Sequence, residues 1–97
     1  MKKIEEKMNA ALAAGREFKQ SNTQVIITSA GHKFVMLYST LIYADVNGRR
    51  YYSDGGWSTV TTSSRLRALG ADYSTNPDKC RVKLVNQDKM IQLYWSR

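Results

Sequence analysis

The feature that most constrains the fold is a change of hydrophobic period near residue 21. Apolar side chains first recur at helical spacing, at Ile4, Met8, Ala11, Leu12 and Phe18, which predicts an amphipathic helix over residues 3–19. From residue 23 the period becomes two, and residues 23–29 are rich in the β-branched side chains that strands favour. A helix followed by strands predicts an α+β protein in which the helix covers one face of a sheet.

The dipeptide Asn47-Gly48 is the strongest hairpin signal in the chain. Both residue types accept the positive φ of a type I′ turn, so antiparallel strands are expected on either side. Alternation predicts further strands, the last two forming a hairpin around residues 86–88. We expect one domain, residues 1–97, with a mainly antiparallel sheet of about six strands and a short second helix before the last hairpin. The predicted strands cover residues 23–29, 33–38, 41–46, 49–53, 81–85 and 89–95.

The short second helix is predicted within residues 55–70, GGWSTVTTSSRLRALG. Thr61 or Thr62 is the predicted N-cap, because a threonine hydroxyl can accept a backbone N–H of the first turn. Gly70 suits the left-handed backbone at which many helices end.

Two interpretations of this segment remain open. In one, it is a structural corner whose apolar side chains plug the sheet, namely Trp57, Val60, Leu66 and Leu69. In the other, the glycine loop and the two arginines that point away from the apolar face, Arg65 and Arg67, present a binding surface.

The same segment resembles a motif of short bacteriophage-encoded proteins without an assigned activity, Trp-x-Thr-x-Thr-Thr-x-Ser-Arg-Leu-x-Ala-Leu. The resemblance extends upstream to a strand–turn–strand at residues 37–44 and weakly downstream to residues 81–85. It implies a phage origin, and therefore the cytoplasm of an infected bacterial host, but no particular activity. The matching residues are Trp57, Thr59, Thr61, Thr62, Ser64, Arg65, Leu66, Ala68 and Leu69.

The chain is basic, with 15 Lys and Arg residues against 8 Asp and Glu residues and a net charge of +7. This excess favours an anionic partner such as nucleic acid or an acidic protein surface. One cysteine, Cys80, and one histidine, His32, exclude an intramolecular disulfide and a cysteine- or histidine-rich metal site, so we expect neither a metal nor another cofactor. No apolar run is long enough to span a bilayer, and the N-terminus does not resemble a secretion signal. A cytoplasmic protein without a membrane partner is expected.

The candidate binding residues combine arginine, lysine and tyrosine. Alternation places Arg49 and Tyr51 on one face of a strand, and a guanidinium beside an aromatic ring suits phosphate contact and base stacking. The alternative is that these charges only protect an edge strand from aggregation. The full candidate set is Arg49, Tyr51, Arg65, Arg67, Arg81 and Lys83.

Two functions remain open, and neither is enzymatic. In the first, the protein is an accessory protein that binds a host or phage protein, for example as an inhibitor of a host defence complex. In the second, it binds DNA or RNA directly through the candidate set. Exposed aromatic side chains and arginines are also typical of protein–protein hot spots, so composition does not choose between the two. His32 lies in a predicted turn with no nucleophile or acid placed beside it, and no catalytic residue is predicted.

Overall fold

One antiparallel sheet forms the centre of the structure, a computed structural model that describes residues 2–57, 59–74, 76 and 78–95. The five strands found in these residues lie side by side in chain order, each antiparallel to its neighbours. The α+β class is therefore confirmed, but the strand count is five instead of about six: the predicted strands at 81–85 and 89–95 do not form, and residues 18–20 form a strand that was not predicted. The elements are α1 (Lys3–Ala14), β1 (Phe18–Gln20), β2 (Thr23–Ile27), β3 (Lys33–Leu37), β4 (Thr40–Val46), β5 (Arg49–Tyr52), α2 (Val60–Ala68) and α3 (Gln87–Trp95).

Helices cover both faces of the sheet. Met8 of α1 and Leu66 of α2 are fully buried in a cluster that includes Val35 of β3. The next residue along β3 towards its start, Phe34, points to the other face, where it is buried with Met90 of α3. The sheet therefore separates a layer that holds α1 and α2 from a layer that holds α3.

Helix α1 ends earlier than its apolar spacing predicts. It stops at Ala14, with Gly15 in a left-handed conformation whose N–H bonds to the last turn. Phe18 then belongs to β1, where it pairs with Val25 of β2. It still packs against the α1–α2 cluster from there. Phe18 therefore packs in the predicted core from a strand instead of from the helix. For this reason its helical spacing did not reveal that α1 ends at Ala14.

The turn between β4 and β5 has the predicted character. Asn47 and Gly48 have φ angles of 54° and 78°, the positive values that a type I′ turn requires. They connect the directly paired residues Val46 and Arg49, so the prediction made from Asn-Gly is confirmed.

A β-bulge in β4 changes which side chains face α2. The pairing with β3 shifts between Val35 and Met36 and leaves Ile42 without a direct partner. As a result, the consecutive residues Ile42 and Tyr43 both belong to the α1–α2 cluster.

The predicted C-terminal hairpin is wrong. Residues 87–95 form α3, because Asn86 caps a helix: its side-chain oxygen accepts the N–H of Lys89 at 2.9 Å. Before it, Leu84 makes only an isolated parallel bridge to Tyr52, and the N–H of Val85 bonds to the Tyr52 carbonyl at 2.8 Å. The apolar residues of the segment follow a helical period on the α3 face of the sheet, namely Met90, Ile91, Leu93 and Tyr94.

Candidate binding cleft

The loop between β5 and α2 is held by hydrogen bonds around Asp54. One carboxylate oxygen, Oδ1, accepts the N–H of Gly56 at 2.9 Å, and the other, Oδ2, accepts the hydroxyl of Tyr73 at 3.1 Å. The Asp54 carbonyl accepts the N–H of Trp57 at 2.9 Å. The backbone that leads into Trp57 is therefore held by hydrogen bonds at Asp54, Gly56 and Trp57.

Gly55 brings this loop against the β3–β4 turn. Its φ is +61°, and a β-carbon at this position would collide with the side chain of Thr40. Only glycine permits both the left-handed backbone and this close approach. The loop and the turn consequently form one continuous surface.

Trp57 lies on this surface and not in the core. Its side chain is 63% exposed, and Val60 in the first turn of α2 is 78% exposed. The interpretation that both residues plug the sheet is therefore wrong. Leu66 and Leu69 are buried as that interpretation predicted.

Helix α2 begins earlier than predicted. Thr59 is the N-cap, and its hydroxyl oxygen accepts the N–H of Thr62 at 3.1 Å. The two hydroxyls also lie 3.0 Å apart and share a hydrogen bond. The predicted cap at Thr61 or Thr62 is thus wrong, while Gly70 has the expected positive φ of 99° just beyond the helix.

Tyr38 occupies the β3–β4 turn in an unfavourable backbone conformation. Its φ is +56°, a region that bulky side chains rarely adopt. Its N–H donates to the Asn22 carbonyl at 2.7 Å, and its side chain is 73% exposed. The turn therefore presents a ring to solvent at a position where Asn or Gly would be less strained.

Tyr38 and Trp57 line a cleft of about 530 Å³. Leu37 and Ile42 also line it, although both are almost fully buried. Asp54 is the one charged side chain among the described residues that line the cleft. The described lining thus combines two exposed rings and a single carboxylate. The remaining lining residues are Ser39, Thr40, Thr59, Thr62 and Gln87.

Arg65, a predicted binding residue, is buried. Its side chain is 4% exposed and forms an ion pair with Glu5 of α1, with Nη1 at 2.7 Å from Oε2. Its Nε donates to the Thr23 hydroxyl at 3.0 Å and its Nη2 to the Asn22 side-chain oxygen at 3.3 Å. Arg65 was expected to be exposed at a binding surface. Instead its side chain lies between α1, α2 and β2, where these polar partners surround it.

The environment of Glu5 favours its ionised form. Burial raises the pKa of the Glu5 carboxyl. Hydrogen bonds from Ser64 and Arg65, the N–H of Lys2 and the charge of Arg65 outweigh that effect and leave the pKa below its ordinary value of 4.5. The Glu5 carboxyl therefore loses its proton more readily beside Arg65 and Ser64 than it does in a free side chain.

The other predicted binding residues do not form one site. Arg49, Arg67, Arg81 and Lys83 are exposed, and no side-chain hydrogen bond or ion pair engages them within the described residues. Tyr51 is half-buried against the α3 layer, where the ammonium of Lys89 lies 5.6 Å from its ring centre. Since Arg67 belongs to α2, it and Tyr51 are on opposite sides of the sheet.

Sequence reasoning did not predict that Tyr38, Asp54 and Trp57 line one cleft. Alternation places Tyr38 at the end of the predicted strand 33–38, and Asp54 was not among the candidate residues. One available signal was that Tyr38 and Trp57 each adjoin a predicted turn or glycine pair, where an aromatic ring has little core to enter.

The described residues offer no metal site and no membrane-spanning helix. Within the described residues no group of three His, Cys, Asp or Glu side chains could hold a metal ion. Cys80 is half-buried. None of the helices in the described part of the chain has both the length and the apolar character that crossing a bilayer requires.

The chain belongs to the Kyanoviridae Gp96 protein family of phages, whose family model matches residues 1–94. The phage origin implied by the sequence resemblance is thereby supported. No curated protein and no solved structure gave a significant match.

Proposed function

We propose that this Kyanoviridae Gp96 family member is a non-catalytic accessory protein that binds another protein through the Tyr38–Trp57 cleft. The observation that carries the proposal is the exposure of these two rings at one cleft. Tyrosine and tryptophan are enriched among residues that dominate protein–protein affinity. Each has only two rotatable side-chain bonds, so its ring loses little conformational entropy when a partner binds.

The strain at Tyr38 supports a role in recognition. A bulky residue with positive φ costs on the order of 1 kcal/mol or more, and exposing its ring to water adds no stability. Asn or Gly would relieve the strain at this turn. A tyrosine here is better explained by what it contacts outside the chain.

The partner is a protein of the phage or of its host, met in the cytoplasm of the infected cell. Inhibition of a host defence complex is one form that such binding takes in our proposal. A binding function needs no catalytic residue, and His32, in the turn between β2 and β3, is assigned none.

Direct binding of nucleic acid is the second candidate function. It is favoured by a separate observation, the net charge of +7 together with the exposed guanidinium groups of Arg49, Arg67 and Arg81. The cleft does not suit a phosphate, because the carboxylate of Asp54 is the single charge among its described lining residues. The two functions therefore depend on different residues and can be separated by substitution.

Affinity capture from infected-cell lysate, with nuclease added, tests the proposal. The tagged protein is compared with a Tyr38→Ser/Trp57→Ser variant and with a matched Arg49→Ser/Arg67→Ser control. We expect a protein partner that survives nuclease, is retained by the arginine control and is lost from the aromatic variant. Retention by the aromatic variant would contradict the role of the cleft, and loss on nuclease treatment would favour the nucleic-acid function.

A further inference from the structure

We infer that the cleft receives an arginine side chain presented by the partner protein, an inference that rests on the proposed function and names the group that is bound. The cleft offers what a guanidinium needs: a carboxylate and exposed aromatic faces. These features come from the Asp54 loop and from Tyr38 and Trp57.

Charge selects a cation at this place in an otherwise basic protein. Asp54 supplies the single charge among the lining residues, so a phosphate or carboxylate ligand would be repelled and a cation attracted.

The hydrogen bonds of Asp54 leave room for a forked donor. Each carboxylate oxygen already accepts one bond, Oδ1 from Gly56 and Oδ2 from Tyr73. A carboxylate oxygen has about two acceptor positions, so one remains on each oxygen. Two parallel N–H groups of a guanidinium match this arrangement, whereas an ammonium reaches it with one donor at a time.

The two rings suit the rest of the arginine side chain. A guanidinium stacks on aromatic faces, with tryptophan the strongest partner. The methylene stem of arginine covers apolar surface while its charged end remains solvated, and the exposed rings of Tyr38 and Trp57 provide such surface in the cleft.

NMR titration of the ¹⁵N-labelled protein with a defined probe tests the inference. The probe is the capped tripeptide acetyl-Gly-Arg-Gly-amide, and its control is the same peptide with citrulline, which keeps the shape of arginine without the charge. We expect the arginine peptide to shift the amides of residues 55–57 and the Trp57 indole N–H. The citrulline peptide should bind at least about fivefold more weakly than the arginine peptide.

Asp54→Asn provides the matched variant. The amide keeps an oxygen for the Gly56 N–H and can donate to the Tyr73 hydroxyl, so the loop bonds are retained. Affinity for the arginine peptide should fall about fivefold and affinity for the citrulline peptide should not change. Asp78→Asn, at an exposed aspartate outside the cleft, should leave both unchanged.

The outcomes separate this inference from the function on which it rests. Equal binding of the two peptides by the wild-type protein, or absence of shifts at residues 55–57, would overturn the arginine assignment even if Asp54→Asn failed to fold. If partner capture depended on Tyr38 and Trp57 but not on Asp54, the proposed function would be supported and the arginine assignment would be wrong.

Discussion

At the scale of single residues, Trp57 and Leu66 show how differently two large side chains of one segment are placed. Trp57 is 63% exposed and Leu66 is fully buried. We expect Trp57→Ala to change the free energy of unfolding by less than about 0.5 kcal/mol, and its matched control Leu66→Ala to reduce it by about 2–5 kcal/mol. Urea denaturation measures both. A loss of several kcal/mol for Trp57→Ala would mean that the ring packs in the core in solution.

Tyr38 gives a prediction of the opposite sign. Replacing it by Asn should stabilise the protein by about 1 kcal/mol, because Asn tolerates a φ of +56° better than Tyr does. For a domain of this size that corresponds to a rise in Tm of roughly 4–8 °C. The control is Trp57→Asn, at an exposed ring without positive φ, where the melting temperature should hardly change. An unchanged or lower Tm for Tyr38→Asn would show that the ring contributes to the fold.

Beyond the neighbouring turn and glycine pair, nothing in the sequence around Tyr38 and Trp57 indicates exposed rings. Large apolar side chains are usually buried, which favoured the interpretation that Trp57 plugs the sheet. The loop before Trp57 is held by the hydrogen bond that Tyr73 donates to Asp54 and by the close approach of Gly55 to Thr40. Tyr73 and Thr40 are distant from this loop in sequence, and no local pattern indicates them.

At the scale of elements, the buried pair of Glu5 and Arg65 joins α1 to α2 and, through Thr23, to β2. The sequence predicts Arg65 as a binding residue and does not indicate that Glu5 pairs with it. A charged residue on a polar helix face is usually solvated, so local spacing did not predict a buried pair. The same limitation applied to α3, where alternation and helical period fit the short apolar segment almost equally well.

The Glu5 carboxylate should make stability depend on pH. Its pKa is lower in the folded protein than the ordinary 4.5, so its contribution is complete above the unfolded value and is lost as pH falls through the folded value. We expect the free energy of unfolding to decrease on acidification below about pH 4.5, and Glu5→Gln to reduce that decrease. Glu6→Gln, at the exposed neighbour in α1, is the control. If stability depended on pH equally in the two variants, the ion pair with Arg65 would not stabilise the ionised form of Glu5.

At the scale of the whole molecule, the sequence was sufficient for the class of fold and for the basic surface. Periodicity predicted α1 and the strands β2 to β5, because each carries its own apolar pattern. It did not predict that helices cover both faces of the sheet. That arrangement arises because residues 80–86 carry the chain to the face opposite α1 and α2, where α3 forms. Tyr51 packs on the face covered by α3, whereas Arg67 belongs to α2 on the opposite face. The predicted binding residues therefore do not share one surface.

The net charge of +7 leads to the last prediction, which concerns binding to nucleic acid. Gel-shift titration against random single- and double-stranded DNA and RNA, near physiological salt, should give dissociation constants no tighter than about 10⁻⁴–10⁻⁶ M, the range of non-specific attraction. Arg49→Ser and Arg81→Ser should each weaken this binding slightly, because dispersed charges add small and similar contributions. Trp57→Ser should leave it unchanged, since the cleft contains no cation. Submicromolar affinity that falls steeply with salt, with a slope reduced by about one for each arginine removed, would contradict the protein-binding proposal and identify phosphate as the ligand of the basic surface.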